Sequence, residues 1–406
     1  MRPKIRIPTP IRLLFGVIPF LIRLIYRGCI AVGDVVDKFV PGKILSKAVI
    51  LPSVVLLIIF VYGFIGYTAR ESTTNSNALQ QLRRLPAQNV NLQNYEELFT
   101  GQLNSRFRVD VVNTIFFTVM FIVVCLVVGL ALAMLLDQRI RGESIFRTIF
   151  LFPMALSFVV TGVVWKWLFN PTSGINWLPS AVGLPAGQFQ WFISEGQWLQ
   201  FHWGNIIQIA LVTILGLVLI GALWRWLKTR SVTALLIAAL LLLVNSWITL
   251  AGAKQLALQP TDEIYGFNVA LIAVVVAAGW QMSGYTMAMY LAGLRGVSDE
   301  LREAARVDGA TEIGVYRYVI WPLLKPITLS AMIILGHISL KIFDLVYTMG
   351  GGGNLYIDMP GINMWLTTFR SNDFGKGAAI AMIMLIMVAV VIIPYLWSSM
   401  REEVEL

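Results

Sequence analysis

Long apolar runs separated by short polar segments dominate the chain and predict helices that cross a membrane. A spanning helix needs about 20 mostly apolar residues to cross roughly 30 Å of hydrocarbon. Helices are required because hydrocarbon cannot satisfy free backbone donors and acceptors, and the run from Ala234 to Val244 does not alternate as a barrel strand would. Runs of this length occur at eight places: about 48–67, 112–136, 148–169, 204–224, 232–250, 267–292, 327–347 and 377–397. The pattern predicts an all-α fold, a polytopic membrane helical bundle of about eight transmembrane helices.

The composition agrees with a membrane protein and argues against a nucleic-acid partner. Of 406 residues, 57% are hydrophobic and only 13% are charged, whereas about a quarter of a soluble domain is charged. The net charge is +9, but most basic residues lie in short loops, and no soluble fold presents them as a patch. The two cysteines, Cys29 and Cys125, and the two histidines, His202 and His337, cannot build a disulfide framework or a Cys/His metal cluster. We therefore expect neither nucleic acid nor a metal ion to bind.

Lysine and arginine are divided unequally between alternate polar segments, which predicts the orientation. With the N-terminus inside, the inner segments hold 21 of these residues and the outer segments hold eight. Cytoplasmic segments of membrane proteins carry the excess of positive charge. Both ends are therefore predicted to be cytoplasmic, with a basic, amphipathic N-terminal segment at residues 1–47 and a tail at 398–406.

The first 30 residues combine basic residues with an apolar run, Leu13 to Ile22, that is too short to span. Arg23 and Arg27 follow this run in place of the small-residue cleavage site of a signal peptide. We interpret residues 1–30 as a segment that lies on the lipid surface. An additional spanning helix is the alternative.

A charged segment at residues 295–325 separates two long apolar runs on the predicted cytoplasmic side. Ser298 and Thr311 suit the N-caps of two helices, and Gly309 suits the left-handed position that ends the first one. Pro322 and Pro326 are expected to break the chain before the next span. The pattern predicts two short helices with a bend between them over residues 298–320.

The residues of this bend carry a specific family resemblance. Glu-Ala-Ala-x-x-Asp-Gly-Ala, followed by an aromatic residue, Ile320, Pro322 and Pro326, resembles the signature of binding-protein-dependent transport permeases, the membrane subunits of ABC importers. Trp321 departs from the pattern, because the family usually has Leu there. The resemblance implies that residues 295–325 form a coupling loop that docks into a separate ATPase subunit. The implied ATPase contacts are Glu303, Ala304, Ala305, Asp308, Gly309 and Ala310.

Shorter strings extend the resemblance over about 90–190 and 267–400, in the maltose/oligosaccharide permease branch. Examples are Asn113-Thr114 and Trp165-Lys166-Trp167. The resemblance implies a six-helix permease core with an inserted helical hairpin, which we interpret as a lipid-facing scaffold. The implied organisation is a first span and extracytoplasmic loop at 48–110, an N-terminal half of the core at 111–201, the inserted transmembrane hairpin at 202–252 and a C-terminal half of the core at 253–397.

The resemblance also implies a solute pocket in mid-membrane between the core helices. The positions it places there are Gln281, Met282, Tyr285, His337 and Leu340. Lys341 and Asp344 join this set because residues three apart share a helix face, and ionisable groups inside a span usually face a cavity or each other. Two alternatives remain open: Lys341 and Asp344 form an internal ion pair, and His337 bonds to a neighbouring helix.

The function implied by the resemblance is transport of a di- or oligosaccharide or a glycoside by alternating access, in a bacterial cell (inner) membrane. Gly350 to Gly353 lack the Lys-Ser or Lys-Thr that follows a phosphate-binding loop. We therefore expect no cofactor and no enzymatic activity on this chain, with ATP and Mg on a partner ATPase. The implied partners are a second permease subunit, two ABC ATPase subunits, an extracytoplasmic solute-binding protein, membrane lipid and the sugar substrate.

Two other functions are compatible with a polytopic membrane protein. An ion-coupled secondary carrier would need neither an ATPase nor the coupling loop. An integral-membrane glycosyltransferase would need clustered carboxylates at a membrane face, and the adjacent pair Asp262 and Glu263 has no catalytic context.

Overall fold

The computed structural model describes residues 42–101, 104–138, 141–229, 232–251 and 263–404, so the predicted surface segment at residues 1–30 lies outside the described residues. The chain forms two compact units, one up to Tyr67 and one from Thr68 onward. Helices account for nearly all the regular structure, and the described residues contain one two-stranded sheet. The predicted helical membrane fold is confirmed.

The elements follow one another in chain order. The helices are α1 (Gly42–Leu57), α2 (Phe64–Glu71), α3 (Ala78–Leu82), α4 (Gln93–Thr100), α5 (Ser105–Asp137), α6 (Glu143–Leu151), α7 (Phe158–Leu168), α8 (Ile206–Thr229), α9 (Val232–Ala251), α10 (Leu271–Gly296), α11 (Asp299–Val307), α12 (Glu312–Val315), α13 (Trp321–Leu340), α14 (Asp344–Gly350), α15 (Pro360–Trp365) and α16 (Phe374–Val404). The strands are β1 (Gln197–His202) and β2 (Ile264–Asn268). Short 3₁₀ helices lie at Phe152–Ala155, Gly174–Val182, Trp191–Ile193 and Trp203–Asn205, and π-helical turns lie at Ile58–Gly63, Tyr316–Ile320 and Leu366–Arg370.

Six helical stretches of the described chain are long and apolar enough to cross a membrane, and each overlaps one of the predicted runs. They are Ile50–Glu71, Ser105–Asp137, Trp203–Lys228, Leu271–Gly296, Glu312–Leu340 and Phe374–Ile393. The last helix, α16, continues to Val404, so the predicted tail at 398–406 is helical as far as it is described.

The predicted span at 148–169 is wrong as one straight helix. The chain runs through Glu143–Ala155, turns by 100° and continues as α7. Pro153 lies in the 3₁₀ turn before the break, and the Ser157 hydroxyl caps α7 by accepting from the Val160 N–H at 3.3 Å. The Gln281 amide donates to the Leu156 carbonyl at 2.7 Å. This bond satisfies a backbone group that the break leaves without a helical partner.

The inserted hairpin at 202–252 is present as α8 and α9, which pack against each other. The Gln208 side chain of α8 donates to the Ile248 carbonyl of α9 at 3.0 Å. Helix α9 extends from Val232 to Ala251 and so covers the predicted run at 232–250.

The two strands lie on either side of this hairpin along the chain and pair antiparallel. Gln197 is opposite Asn268, and His202 is opposite Ile264, with an irregular register between Trp198 and Phe201. The pairing brings the two ends of the insertion together. The helices before and after the insertion can therefore pack as neighbours in spite of it.

The centre of the molecule is the parallel pair α5 and α10. A Cβ atom added at Gly129 would lie 2.0 Å from the Thr286 hydroxyl oxygen, and one at Gly279 would lie 2.9 Å from Val124. The Thr286 hydroxyl donates to the Cys125 carbonyl at 2.7 Å. Small residues and a hydroxyl therefore let two helix backbones approach closely, as is common between membrane helices.

Candidate functional site

The coupling loop folds as predicted, as two short helices, α11 and α12, joined by a bend. Gly309 has a φ of +85°, the left-handed conformation that glycine adopts without strain. The Thr311 hydroxyl caps α12 by accepting from the Gly314 N–H at 3.3 Å. Ser298 occupies the predicted N-cap position of α11 but makes no side-chain cap hydrogen bond. Gly309 and Thr311, which lie within the bend, therefore set its geometry.

The prediction that Pro322 and Pro326 break the chain before the next span is wrong. The span runs unbroken from Glu312 to Leu340. Pro322 lies in the first turn of α13, where a missing N–H leaves no intrahelical bond unmade, and only Pro326 lies inside the helix. A π-helical turn at Tyr316–Ile320 precedes α13, and membrane helices tolerate proline through such local adjustments.

Arg302 ties the coupling loop to the two central helices. Its Nη1 donates to Asp137 Oδ2 at 2.8 Å, and its Nη2 donates to the Leu294 carbonyl at 2.6 Å. Asp137 ends α5 and Leu294 lies in the last turn of α10. The ion pair is largely shielded from water, since the Arg302 and Asp137 side chains are 16% and 9% exposed. Sequence reasoning missed this contact, whose partners are 165 positions apart.

The six residues implied to contact an ATPase divide between two faces of the coupling loop. Ala305 and Ala310 are half-buried and pack against the apolar cluster that contains Val315 and Leu324. These two alanines therefore belong to the internal packing of the loop. Four residues face outward and are exposed: Glu303, Ala304, Asp308 and Gly309.

Two apolar side chains project into solvent beside these four residues. Val307 is 87% exposed and Ile313 is 80% exposed. Arg306 Nε lies 2.8 Å from Glu312 Oε1 across the bend, and this hydrogen bond holds the pKa of Arg306 above its ordinary value. Exposed apolar side chains among small and charged residues are typical of a protein-binding surface. The exposed face has the chemistry to dock another protein.

Five of the seven residues predicted to contact solute lie within the helix packing. Gln281, Met282 and Leu340 are buried, and Tyr285 and His337 are half-buried. The Gln281 side-chain amide donates to the Leu156 carbonyl in the broken span. Its Oε1 atom is buried and has no hydrogen-bond partner in the described part of the chain. The same holds for His337 Nδ1 among the described residues. Buried polar groups are normally paired, so these two atoms are exceptions to the usual pattern among the described residues.

Lys341 and Asp344 do not share a helix face, so that prediction is wrong. Helix α13 ends at Leu340, and Asp344 begins α14. Both side chains are exposed, and no ion pair joins them in the described residues. The helix break in this part of the chain removes the i, i+3 geometry on which the prediction rested.

The end of α5 far from the coupling loop carries a buried polar network. Arg108 is 1% exposed, and its Nε and Nη2 donate to Glu263 Oε2 and Oε1 at 2.9 and 2.7 Å. It also donates to the Gly101 carbonyl at 2.8 Å and to the Tyr265 hydroxyl at 3.2 Å. Burial, together with a hydrogen bond to Glu263, raises the pKa of Tyr265 to about 12. The bidentate pair joins α5 to the chain just before β2.

A second ion pair joins the same end of α5 to the loop between α14 and α15. Arg106 pairs with Asp358 and donates to the Gly352 carbonyl at 2.7 Å. Burial raises the pKa of Asp358 to about 6, against the opposing effect of Arg106. One turn along, Asp110 Oδ2 accepts from the Asn363 amide at 2.7 Å.

Sequence reasoning missed this network because it counted Arg106 and Arg108 only as charges of an outer loop. Both residues lie on α5, which begins at Ser105. The available signal was the alternation of ionisable residues at 106, 108 and 110 immediately before an apolar run. Ionisable groups at the start of a span need partners, which predicts partners elsewhere in the chain without identifying them.

A cavity of about 620 Å³ adjoins this network. Its wall combines the end of α7, the segment that leads into β1, the end of β2 and the loop after α14. Polar residues in the wall are Lys166, Glu195, Gln197, Asn268, Asn354 and Tyr356. The seven residues predicted to contact solute line other parts of the structure.

Comparison with known proteins gives concordant matches over most of the chain. Residues 229–400 match the family model described as the binding-protein-dependent transport system inner membrane component. The chain is 32% identical over 359 residues to the "probable ABC transporter permease protein" of Pyrococcus horikoshii, covering 87% of this chain and 95% of that protein. It is 31% identical over 353 residues to the xylose/arabinose import permease protein XacH of Haloferax volcanii, covering 86% of each chain.

A solved structure shares the fold. It is a chain of a bacterial alginate ABC transporter in complex with an alginate pentasaccharide-bound periplasmic protein. The TM-score is 0.57 at 14% identity, and the match covers 87% of this chain and 94% of that one.

Proposed function

This chain belongs to the ABC transporter permeases, the inner membrane components of binding-protein-dependent transport systems, and we propose that its solute is a di- or oligosaccharide or a glycoside. It is a multi-pass membrane protein and the transport subunit of an importer, with ATP hydrolysis on a separate chain. The proposal concerns the solute, the subunit arrangement, the orientation and the residues that act.

The single observation that carries the proposed mechanism is the outward face of the coupling loop. Glu303, Ala304, Asp308 and Gly309 are exposed at one end of the bundle, between Val307 and Ile313. We assign this face to a cleft of an ATPase subunit, which binds the ATP and Mg. A second permease with its own coupling loop and a second ATPase complete the assembly. The excess of 21 basic residues over eight supports a cytoplasmic position for this end and for both termini.

Arg302 supplies the mechanical connection from this face to the solute pathway. Closure of the ATPase pair moves α11, and the Arg302 side chain passes that movement to Asp137 of α5 and Leu294 of α10. These two helices are closely packed along their length, so they move together. Alternating access then follows when the two permeases rock against each other.

The sugar assignment rests on chemistry and on the relatives. XacH is a xylose/arabinose import permease, and the periplasmic protein in the structural relative carries an alginate pentasaccharide. Gln281 Oε1 and His337 Nδ1 are buried without a hydrogen-bond partner among the described residues, and Trp280, next to Gln281 in the chain, forms an aromatic pair with Trp165 whose ring centroids are 5.7 Å apart. Aromatic faces with a few polar groups suit a sugar. We assign the transmembrane solute contacts to Gln281, Met282, Tyr285, His337 and Leu340.

The test is ATP-dependent uptake in proteoliposomes that contain this chain, its partner permease, the ATPase and the solute-binding protein. Gly309→Pro should abolish uptake, because proline holds φ near −65° and the bend needs +85°. Glu303→Ala should reduce both uptake and retention of the ATPase on purification, while Glu96→Ala, an exposed glutamate remote from the loop, should leave both unchanged. Normal uptake by a correctly inserted Gly309→Pro variant contradicts the docking assignment. Uptake by this chain without any ATPase would instead identify a secondary carrier.

A further inference from the structure

The 620 Å³ cavity lies at the end of the bundle opposite the coupling loop. Asn268 in its wall precedes α10, whose 26 residues rise about 39 Å before the coupling loop begins. The volume falls within the range of about 300–1,000 Å³ typical of small-molecule sites. Lys166 and Glu195 in its wall are exposed, so the cavity opens to solvent at this end.

Two side chains of opposite charge in the cavity wall make few polar contacts with the rest of the protein. Lys166 Nζ makes a single hydrogen bond, at 3.3 Å, to the Thr348 carbonyl. The Glu195 carboxylate has no hydrogen bond and no ion pair within the described part of the chain. A lone cation would favour an anionic ligand and a lone carboxylate a cationic one. The presence of both favours a neutral ligand rich in hydroxyl groups, which donate to the carboxylate and accept from the ammonium.

The rest of the wall is held rigidly by hydrogen bonds. The Gln197 amide donates to Asn268 Oδ1 at 2.9 Å, and the Asn268 amide donates to Asn113 Oδ1 at 2.7 Å. The Asn113 amide in turn donates to the Asp358 carbonyl at 3.0 Å, within the polar network. A wall that is already ordered loses little conformational entropy when a ligand binds.

The loop after α14 adds an ordered aromatic residue. The Asn354 amide donates to the Phe192 carbonyl at 2.6 Å, and Asn354 Oδ1 accepts from the Tyr356 N–H at 3.1 Å. Tyr356 lines the cavity and is partly buried against the core, and its loop is held in place by the two hydrogen bonds of Asn354. Aromatic rings with a polar tip suit stacking against a sugar face.

We propose that this cavity is an entry vestibule that binds a neutral oligosaccharide before it reaches the transmembrane pocket. Glu195 and Lys166 contact the hydroxyl groups, and Tyr356 contacts a ring face. The proposal rests on the proposed function, because it takes the solute to be a sugar. It adds a second solute site on the same pathway, formed by residues different from those assigned to the pocket between the helices.

The first test is calorimetric titration of the full chain in lipid nanodiscs with maltotriose as the probe. Glu195→Gln and Lys166→Met should each raise the Kd about tenfold, because each removes a charge-assisted hydrogen bond from the ligand. The control is Glu96→Gln, which makes the same chemical change at an exposed glutamate outside the cavity and should bind as the wild type does. Equal affinities for the wild type and both cavity variants overturn the vestibule.

The second test separates this inference from the proposed function, using the complete importer in proteoliposomes. If the vestibule binds the solute, Glu195→Gln should raise the KM for maltotriose uptake and leave the ATPase rate at saturating binding protein unchanged.

Uptake of maltotriose with a KM unaffected by Glu195→Gln and Lys166→Met leaves the sugar function standing and rejects the vestibule. A wild-type importer that takes up no sugar of any length rejects both. A variant that instead loses stimulation by the binding protein, with maltotriose affinity intact, assigns the cavity to a protein contact and overturns the proposal.

Discussion

The two ends of the helical bundle are built in opposite ways. At the coupling loop, residues close together in the chain form a bend whose functional face is exposed, with Gly309 and Thr311 setting its geometry. At the far end, Arg106 and Arg108 reach partners 252 and 155 positions away, and in each pair one side chain is buried and the other partly exposed. The first end leaves residues exposed, which we propose dock another protein, whereas the second end joins separate parts of this protein to one another.

This difference shows where the protein can move and where it is held. An exposed loop tied by a few side chains can follow a partner, and in the proposed mechanism Arg302 carries its displacement into α5 and α10 through its bonds to Asp137 and Leu294. A buried network of bidentate and amide bonds keeps the far ends of the same helices in one arrangement. Substitutions at the far end should therefore reduce stability, and substitutions at the coupling loop should reduce coupling.

The largest effect is expected for Arg108→Ala. The change removes the bidentate pair, leaving Glu263 with only the Tyr265 hydroxyl and the Gly101 carbonyl without its arginine partner, which should lower the free energy of unfolding by about 3 kcal/mol. Thermal unfolding in detergent measures this change, with Arg83→Ala in an exposed loop as the control. A loss no larger than that of the control would mean that the network does not hold the far end together.

A pH dependence should arise from Asp358. Its folded-state pKa of about 6 lies above the ordinary value of 3.8, so the folded state binds more protons than the unfolded state between these values. Stability should therefore fall as the pH rises from about 4 to about 6, and then stay level with respect to this group. Denaturant unfolding at a series of pH values measures the slope. Asp358→Asn should reduce the slope, whereas Asp344→Asn, at an exposed carboxylate, should leave it unchanged.

An intermediate effect is expected for Arg302→Gln at the other end. Loss of the shielded ion pair with Asp137 should cost about 2 kcal/mol of stability. The larger change should be in the coupling between ATP hydrolysis and transport. The number of ATP molecules hydrolysed per solute imported measures this coupling and should rise several-fold. Arg317→Gln, an exposed arginine on the same side, serves as the control. An unchanged ratio would show that the force reaches α5 by another contact.

The smallest effect is expected for Gly309→Ala. The added Cβ meets no atom within 4 Å, so the cost is only that of a left-handed alanine, about 1 kcal/mol. Uptake should fall modestly and ATPase retention should persist. Gly296→Ala also meets no atom within 4 Å but lies at the end of α10 without a positive φ, so it should be neutral. Equal behaviour of the two variants would remove Gly309 from the account of the bend.

The coupling loop could be predicted almost completely from its own residues, since caps and a left-handed glycine act on neighbouring backbone. Its prolines could not, because the π-helical turn that lets Pro322 and Pro326 enter the span depends on the packed helix. The break within the span at 148–169 could not be predicted for a related reason. Its apolar composition suits a straight helix, and the side chain that stabilises the break, Gln281, comes from α10.

The sequence alone determined that the chain is a multi-pass helical membrane protein with a charged, bent segment between two of its spans. Apolar length and capping are short-range properties that can be recognised in a window of about 20 residues, and charge asymmetry needs only a count over the polar segments. Only the tertiary structure decided which charges pair, where α13 gives way to α14 at Lys341, and which polar side chains surround a cavity. Those outcomes depend on residues more than 150 positions apart meeting in space, and no local pattern specifies the partner of a buried charge.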